Sequence, residues 1–206
     1  SVGARLLGAY AVPLNWHFTA AEIDYVIHDC DARVVVVDAD LLRLLDVRAL
    51  RAEGRTVLVA ASEAGAQHVD EAPPGSTGVR DELQDWSGWL ASQTAWEGKP
   101  GAATESVIYT SGTTGRPKGV KRLPATKEQA LRVAAMREKV YGLVPGIRLI
   151  VPAPLYHGAP NVIAMRGMGV AERLVIMEKF DPEELLRLIE LHRATNIVMV
   201  PTMFVR

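Results

Sequence analysis

The sequence predicts an α/β fold of mostly parallel strands joined through helices. Three observations point there. Short β-branched runs such as Val34 to Val37 alternate along the chain with amphipathic segments. Several of those segments open on a capping side chain, as at Thr19 and Asp181. The composition, 49% hydrophobic and 23% charged over 206 residues, is that of an ordinary globular chain able to bury a core. Alternation of strand and helix favours parallel pairing with right-handed crossovers.

Ala9 to Leu14 reads as a short apolar strand closed by Pro13 and Asn15. Thr19-Ala20-Ala21-Glu22 fits a capping box, and the helix behind it puts Ile23, Val26 and Ile27 on one face. Val34 to Val37 has the continuous β-branched character of a strand buried on both faces. Ala39 to Glu53 reads as a helix with Leu41, Leu42, Leu45 and Leu50 apolar, stopped at Gly54. Thr56 to Ala60 is a third strand.

Glu63 to Pro100 breaks the pattern. It is rich in Gly, Ala, Pro, Ser and Thr, and a short helix is expected only around Asp85 to Ala91. Its tryptophans, Trp86, Trp89 and Trp96, are expected to be packing anchors.

Alternation then resumes. Ser106 to Thr110 is a strand, Ser111 to Gly119 a Gly-rich loop, and Lys127 to Tyr141 a helix with Leu131, Ala134, Ala135 and Val140 as inward candidates. Arg148 to Val151 is a strand ended by Pro152 and Pro154, and Gly158 to Met168 a helix. Its run Val162 to Met165 suits core packing more than a lipophilic pocket. Arg173 to Met177 is a strand. Asp181-Pro182-Glu183-Glu184 opens a helix with a cap, a proline at the first position and two acids on the positive end of the dipole. Leu185, Leu188, Ile189 and His192 share a face, widened by Leu186 and Leu191. Asn196 to Val200 is the last strand. The expected organisation is a first portion over 1–62, an irregular connection over 63–104 and a second α/β portion over 105–206.

The net charge is −1, with basic residues spread among acidic ones, so nothing suggests a nucleic-acid partner. Cys30 is the single cysteine; it lies between Asp29 and Asp31, which disfavour a thiolate, and it fits a reducing, cytoplasmic setting. No stretch reaches the roughly 18 apolar residues of a membrane span. No spacing among the histidines suggests a metal site. The chain starts with Ser in mid-pattern and stops at Val200 to Arg206, where a strand turns toward a helix, so truncation at both ends is expected.

The chemistry concentrates in Tyr109-Thr110-Ser111-Gly112-Thr113-Thr114-Gly115-Arg116-Pro117-Lys118-Gly119-Val120, directly after an apolar strand. Glycines let backbone amides approach an anion, hydroxyls rotate to fit phosphate oxygens, and Lys118 adds a mobile positive charge. A loop at the C-terminal end of a parallel strand is also where open α/β sheets bind ligands. The ordinary P-loop reading fails: Lys118 is followed by Gly119 and preceded by Pro117, and Val120 to Leu123 looks extended rather than helical.

Thr110 to Gly119, TSGTTGRPKG, resembles the signature phosphate loop of the adenylate-forming superfamily: acyl- and aryl-CoA synthetases, peptide-synthetase adenylation domains and firefly luciferase. Pro154-Leu155-Tyr156-His157-Gly158 is similar to a segment found later in its acyl-CoA synthetases. Phe180 to Met203 and the opening Val12 to Asn15 also look like this family. The resemblance implies stacked, mostly parallel sheets flanked by helices, within the large N-terminal domain of such an enzyme. It implies an acid–thiol ligase that joins a carboxylic acid to ATP as an acyl-adenylate and then to coenzyme A.

By that resemblance Thr110, Ser111, Gly112, Thr113, Thr114, Gly115 and Lys118 hold the ATP phosphates. Lys118 and His157 are the catalytic candidates, and Tyr156 and His157 border the acid. Amino-acid-activating members carry an Asp near this segment. None stands in Pro152 to Asn161, which favours a fatty or aryl acid. Magnesium ligands, the ribose-binding aspartate and a C-terminal lid with its lysine are expected outside this chain, so the isolated chain is expected to be inactive. A homodimer is compatible with the resemblance. The competing readings are a luciferase-like or peptide-synthetase adenylation module and a non-catalytic nucleotide-binding fragment.

Overall fold

The structure, a computed structural model, describes residues 2–60, 84–101, 104–110, 116–122 and 125–205. The chain divides into two compact units. One comprises Leu14–Lys99 and Ser111–Lys118; the other comprises Ser1–Pro13, Pro100–Thr110 and Gly119–Arg206.

In the unit containing Leu14–Lys99, helix α2 (Ala20–Asp29) starts on the expected capping box: the Glu22 amide donates to Thr19 Oγ1 and the Thr19 amide to Glu22 Oε2 at 2.8 Å. (The preceding α1 spans Val2–Leu6 in the other unit.) Ile23, Val26 and Ile27 are buried as the spacing predicts. Each such side chain contributes about 1.5–3 kcal/mol of hydrophobic stabilisation. Strand β1 (Val34–Asp38) pairs parallel with β2 (Thr56–Ala60), which pairs parallel with β3 (Gln84–Asp85). Sequence reasoning had no strand at Gln84.

β1 is not buried on both faces. Val35 packs with Ile23, Ile27, Val47, Leu50 and Val57, but Val34 and Val36 point outward, each more than half exposed, because β1 is the edge of this small sheet. The expected single helix over Ala39 to Glu53 is also corrected. Ala39–Leu44 is a 3₁₀ turn and Val47–Ala52 is α3. Asp46 divides them: its side chain accepts from the Ala49 amide and starts a new helix. Gly54 then ends α3 at φ +81°.

α4 (Trp86–Ala91) begins on the Asp85 cap. Trp86 and Trp89 sit together, ring centroids 5.5 Å apart, as anchors should; Trp96 instead is half exposed and covers Gly98. Cys30 closes α2, and burial pushes its thiol pKa up. That is the behaviour of an inert side chain.

In the other unit the expected strand Ala9 to Leu14 does not form. Its backbone reaches the rest through single bonds, such as the Val107 amide to the Ala11 carbonyl, and Pro13 has no amide to extend a ladder. β4 (Ile108–Thr110) is shorter than expected and pairs with β5 (Lys118–Val120), which includes the last two residues assigned to the loop. The extended reading of the chain after Lys118 therefore holds as far as Val120.

α5 (Lys127–Tyr141) has the expected bounds but not the expected inward face. Leu131, Ala134, Ala135 and Val140 are exposed, and Val133 and Arg137 are the half-buried positions. β6 (Ile147–Val151) is central, flanked in parallel by β7 (Ala171–Ile176) and β8 (Asn196–Ile197). The last strand is thus two residues long, not five, before the Pro201–Met203 turn.

α6 (Gly158–Gly167) covers β6 with Ile163 and Ala164, which favours core packing for that apolar run. α7 (Pro182–His192) packs Leu185 and Leu188 on the opposite side with Ile150 and Met177. Its Asp181 cap and first-turn proline are as predicted. Leu186 and Leu191, expected to widen the stripe, are exposed.

Candidate active site

Two segments leave the C-terminal ends of strands, where α/β sheets present ligand-binding groups. The first is the stretch after β4. Tyr109 and Thr110 end β4, and Gly119 runs against the Tyr109 ring so closely that a Cβ there would lie 2.8 Å from it. A side chain at this position would force the Tyr109 ring to shift. Ser111, Gly112, Thr113, Thr114 and Gly115 lie outside the described residues. Lys118 opens β5 with its side chain exposed, and Thr110 is exposed as well. Arg116 places its guanidinium 5.3 Å from the Tyr25 ring centroid, and Pro117 before Lys118 is buried. Lys121, just beyond β5, lies 4.5 Å over the Tyr10 ring.

The second segment follows β6. Pro152-Ala153-Pro154 leads into a turn closed by the His157 amide donating to the Pro154 carbonyl at 3.2 Å. His157 is the residue before α6; its carbonyl accepts the first helical bond, from Asn161. Its ring makes no capping bond and is exposed, 4.5 Å from the Tyr156 ring and tilted by 52°. The Tyr156–His157 pair therefore forms an aromatic edge beside the positive end of α6.

Asn161 supports this turn and was missed by sequence reasoning. It is 4% exposed, and its Nδ2 donates to the Leu155 carbonyl at 2.9 Å. An Asn inside the first turn of a mostly apolar helix was the available signal.

Glu105 was missed as well. Just upstream of β4, it accepts from Arg122 at 3.1 Å and from Arg166 at 2.9 Å, with Arg137 at 3.8 Å. Burial would raise its pKa, but the Arg122 and Arg166 hydrogen bonds prevail and hold the carboxyl below its ordinary range. Burial and the neighbouring Arg166 charge lower Arg137.

Among the described residues no three His, Cys, Asp or Glu side chains converge as a metal site. Among them, too, no helix is long and apolar enough to cross a membrane. A basic groove lined by Arg148, Glu172, Arg173, His192 and Arg193 lies at the N-terminal ends of β6 and β7, the opposite end from the Tyr156–His157 turn.

Comparison with known proteins decides the family. The profile of the AMP-binding enzyme family matches residues 2–206. The chain belongs to that family. Among AMP-binding enzymes it is 31% identical to a long-chain-fatty-acid–CoA ligase, FadD13, of Mycobacterium tuberculosis, over 91% of this chain and 33% of the relative. It is 27% identical to a 3-hydroxybenzoate–CoA ligase of Aromatoleum, over 98% and 36%. ATP-bound MatB from Rhodopseudomonas palustris superposes with a TM-score of 0.67 at 26% identity, covering all of this chain and 37% of that one. The chain thus spans about a third of the length of these relatives. The expected family and the α/β architecture with parallel strands both hold.

Proposed function

We propose that the parent protein is an acid–thiol ligase that activates a fatty or aryl carboxylic acid with ATP and transfers the acyl group to coenzyme A. The observation that carries this reading is the TSGTTGRPKG segment, which springs from the C-terminal end of β4 in a chain of the AMP-binding family. Thr110, Ser111, Gly112, Thr113, Thr114, Gly115 and Lys118 hold the β- and γ-phosphates. A carboxylate oxygen attacks the α-phosphorus; the acyl-adenylate bond forms as the bond to pyrophosphate breaks. The difficulty is electrostatic, an anion attacking a polyanion. Fixed donors and the Lys118 charge lower the barrier by neutralising the leaving group. In the second step the thiol sulfur attacks the acyl carbon and AMP departs.

Tyr156 and His157 border the acid, with His157 beside the forming adenylate. The substrate class is supported by the absence of an Asp in Pro152 to Asn161 and by relatives named for fatty and hydroxybenzoic acids. Magnesium commonly binds through one or two carboxylates plus substrate phosphates, and the described residues offer no clustered cage for it. A cytoplasmic setting, in which Cys30 stays reduced, fits this reading. Incubating the full-length protein with ATP, magnesium, coenzyme A and a panel of fatty and aryl acids tests it. The expected products are AMP and an acyl-CoA thioester; ADP formed without thioester would contradict the reading.

A further inference from the structure

Most ion pairs among the described residues are local, such as Arg132–Glu128 and Arg187–Glu184 on single helices, or lie on exposed edges. Pairs of that kind contribute little. Glu105 differs in reach and geometry. Its two oxygens serve separate partners: Oε2 takes Arg122, and Oε1 takes Arg166 with Arg137 beyond. Those partners lie 17, 61 and 32 residues away, respectively: just after β5, near the end of α6, and within α5. The side chain of Arg137 is only 14% exposed, that of Glu105 29%. No other carboxylate among the described residues stands within ion-pair distance of these three arginines. One carboxylate therefore holds together three guanidinium groups that would otherwise repel.

Three of the elements it joins, β4, β5 and α6, carry the candidate segments. Glu105 and Arg122 bracket the β4–β5 pair, from which the phosphate loop springs. Arg166 sits at the far end of α6 from His157, about 13 Å along a rigid helix. Building on the function proposed above, we infer that Glu105 is a positioning residue. It fixes α6, and with it the Tyr156–His157 turn, against the β4–β5 pair, and so sets where that turn presents the acid. Glu105 itself touches no reacting atom. Misplacement of reactants by about 1 Å costs on the order of a hundredfold in rate, so such a clamp acts on turnover more than on affinity.

Glu105→Gln and Arg166→Met in the full-length protein test this. Glu105→Gln keeps the shape and removes the charge; Arg166→Met cuts the α6 link alone and leaves Glu105–Arg122 intact. Two readouts are needed: saturating acid-dependent ATP–pyrophosphate exchange, and hydrogen–deuterium exchange of residues 155–161. Each variant is expected to lose about tenfold or more in saturating rate at temperatures where it stays folded, with KM for ATP and acid within about threefold. Amides of 155–161 are expected to exchange faster. The double variant is expected to lose no more than the worse single one. Wild-type rates, a loss that only follows the folded fraction, or unchanged protection of 155–161 would overturn the proposal. Should the parent prove inactive toward every acid, the ligase reading fails; the protection of 155–161 still decides whether Glu105 positions α6.

Discussion

The Asn161 side chain reaches back across the first turn of α6 and donates to the Leu155 carbonyl at 2.9 Å. A buried amide thus shapes the turn that presents Tyr156 and His157. Removing one partner of such a bond leaves the other without its donor. Asn161→Leu, similar in volume, is expected to destabilise by about 1–2 kcal/mol in urea unfolding. A midpoint equal to wild type would show that the Leu155 carbonyl finds another donor.

α6 lies close on β6 because Gly167 has no side chain. A Cβ there would stand 2.5 Å from Leu149 Cδ2, and Leu149 is 1% exposed. Gly167→Ala should cost about 1–3 kcal/mol by overpacking. Adding Leu149→Val, which removes the clashing methyl, should recover part of the loss. If the double variant is simply the sum of two destabilised singles, the clash is not the cause.

His28 ties the end of α2 to the end of α3. Its Nδ1 lies 2.8 Å from the Asp24 carbonyl and its Nε2 3.0 Å from Glu53 Oε2. Acceptors at both nitrogens favour the imidazolium: the Asp24 carbonyl raises its pKa most, burial opposes it, and Glu53 adds to the rise. A raised folded-state value means the contribution is complete below the ordinary histidine pKa of roughly 6.5 and fades as pH rises through the folded value. Wild type should therefore out-melt His28→Gln at about pH 5.5, and the gap should close by about pH 8.5. An equal gap at both would rule out the charge as its source.

In the proposed function Lys118 supplies the positive charge that meets the ATP phosphates. Losing a charged contact of about 1.5–3 kcal/mol predicts a fall of about tenfold to a hundredfold in adenylation for Lys118→Ala. An unchanged rate would remove Lys118 from the site.

Local chemistry was the legible part of the sequence. The Thr19–Glu22 capping box, the Asp181-Pro182 start and the buried faces at Ile23, Val26, Ile27, Leu185 and Leu188 depend on neighbours within one or two turns. Parallel pairing followed from the alternation. What failed depends on partners distant in sequence. Val34 and Val36 read as doubly buried, but β1 is a sheet edge; Leu131 and Val140 read as inward, but the half-buried side of α5 is the one bearing Val133 and Arg137. Asp46 reads as a polar position on one long helix until its cap is seen. At the candidate site the loop and the Tyr156–His157 turn were visible as motifs. Glu105 was not, because a charge 61 residues from its partner leaves no periodic trace; Asn161 left only the local signal of one polar residue in the first turn of an apolar helix.

The proposed reaction joins a carboxylic acid to the α-phosphate of ATP. Acid-dependent exchange of labelled pyrophosphate into ATP, run on the full-length protein with fatty, aryl and amino acids, measures that step directly. Exchange is expected to require a fatty or aryl acid and to fall with Lys118→Ala. ATP binding with no exchange for any acid, or exchange supported only by an amino acid, would contradict it.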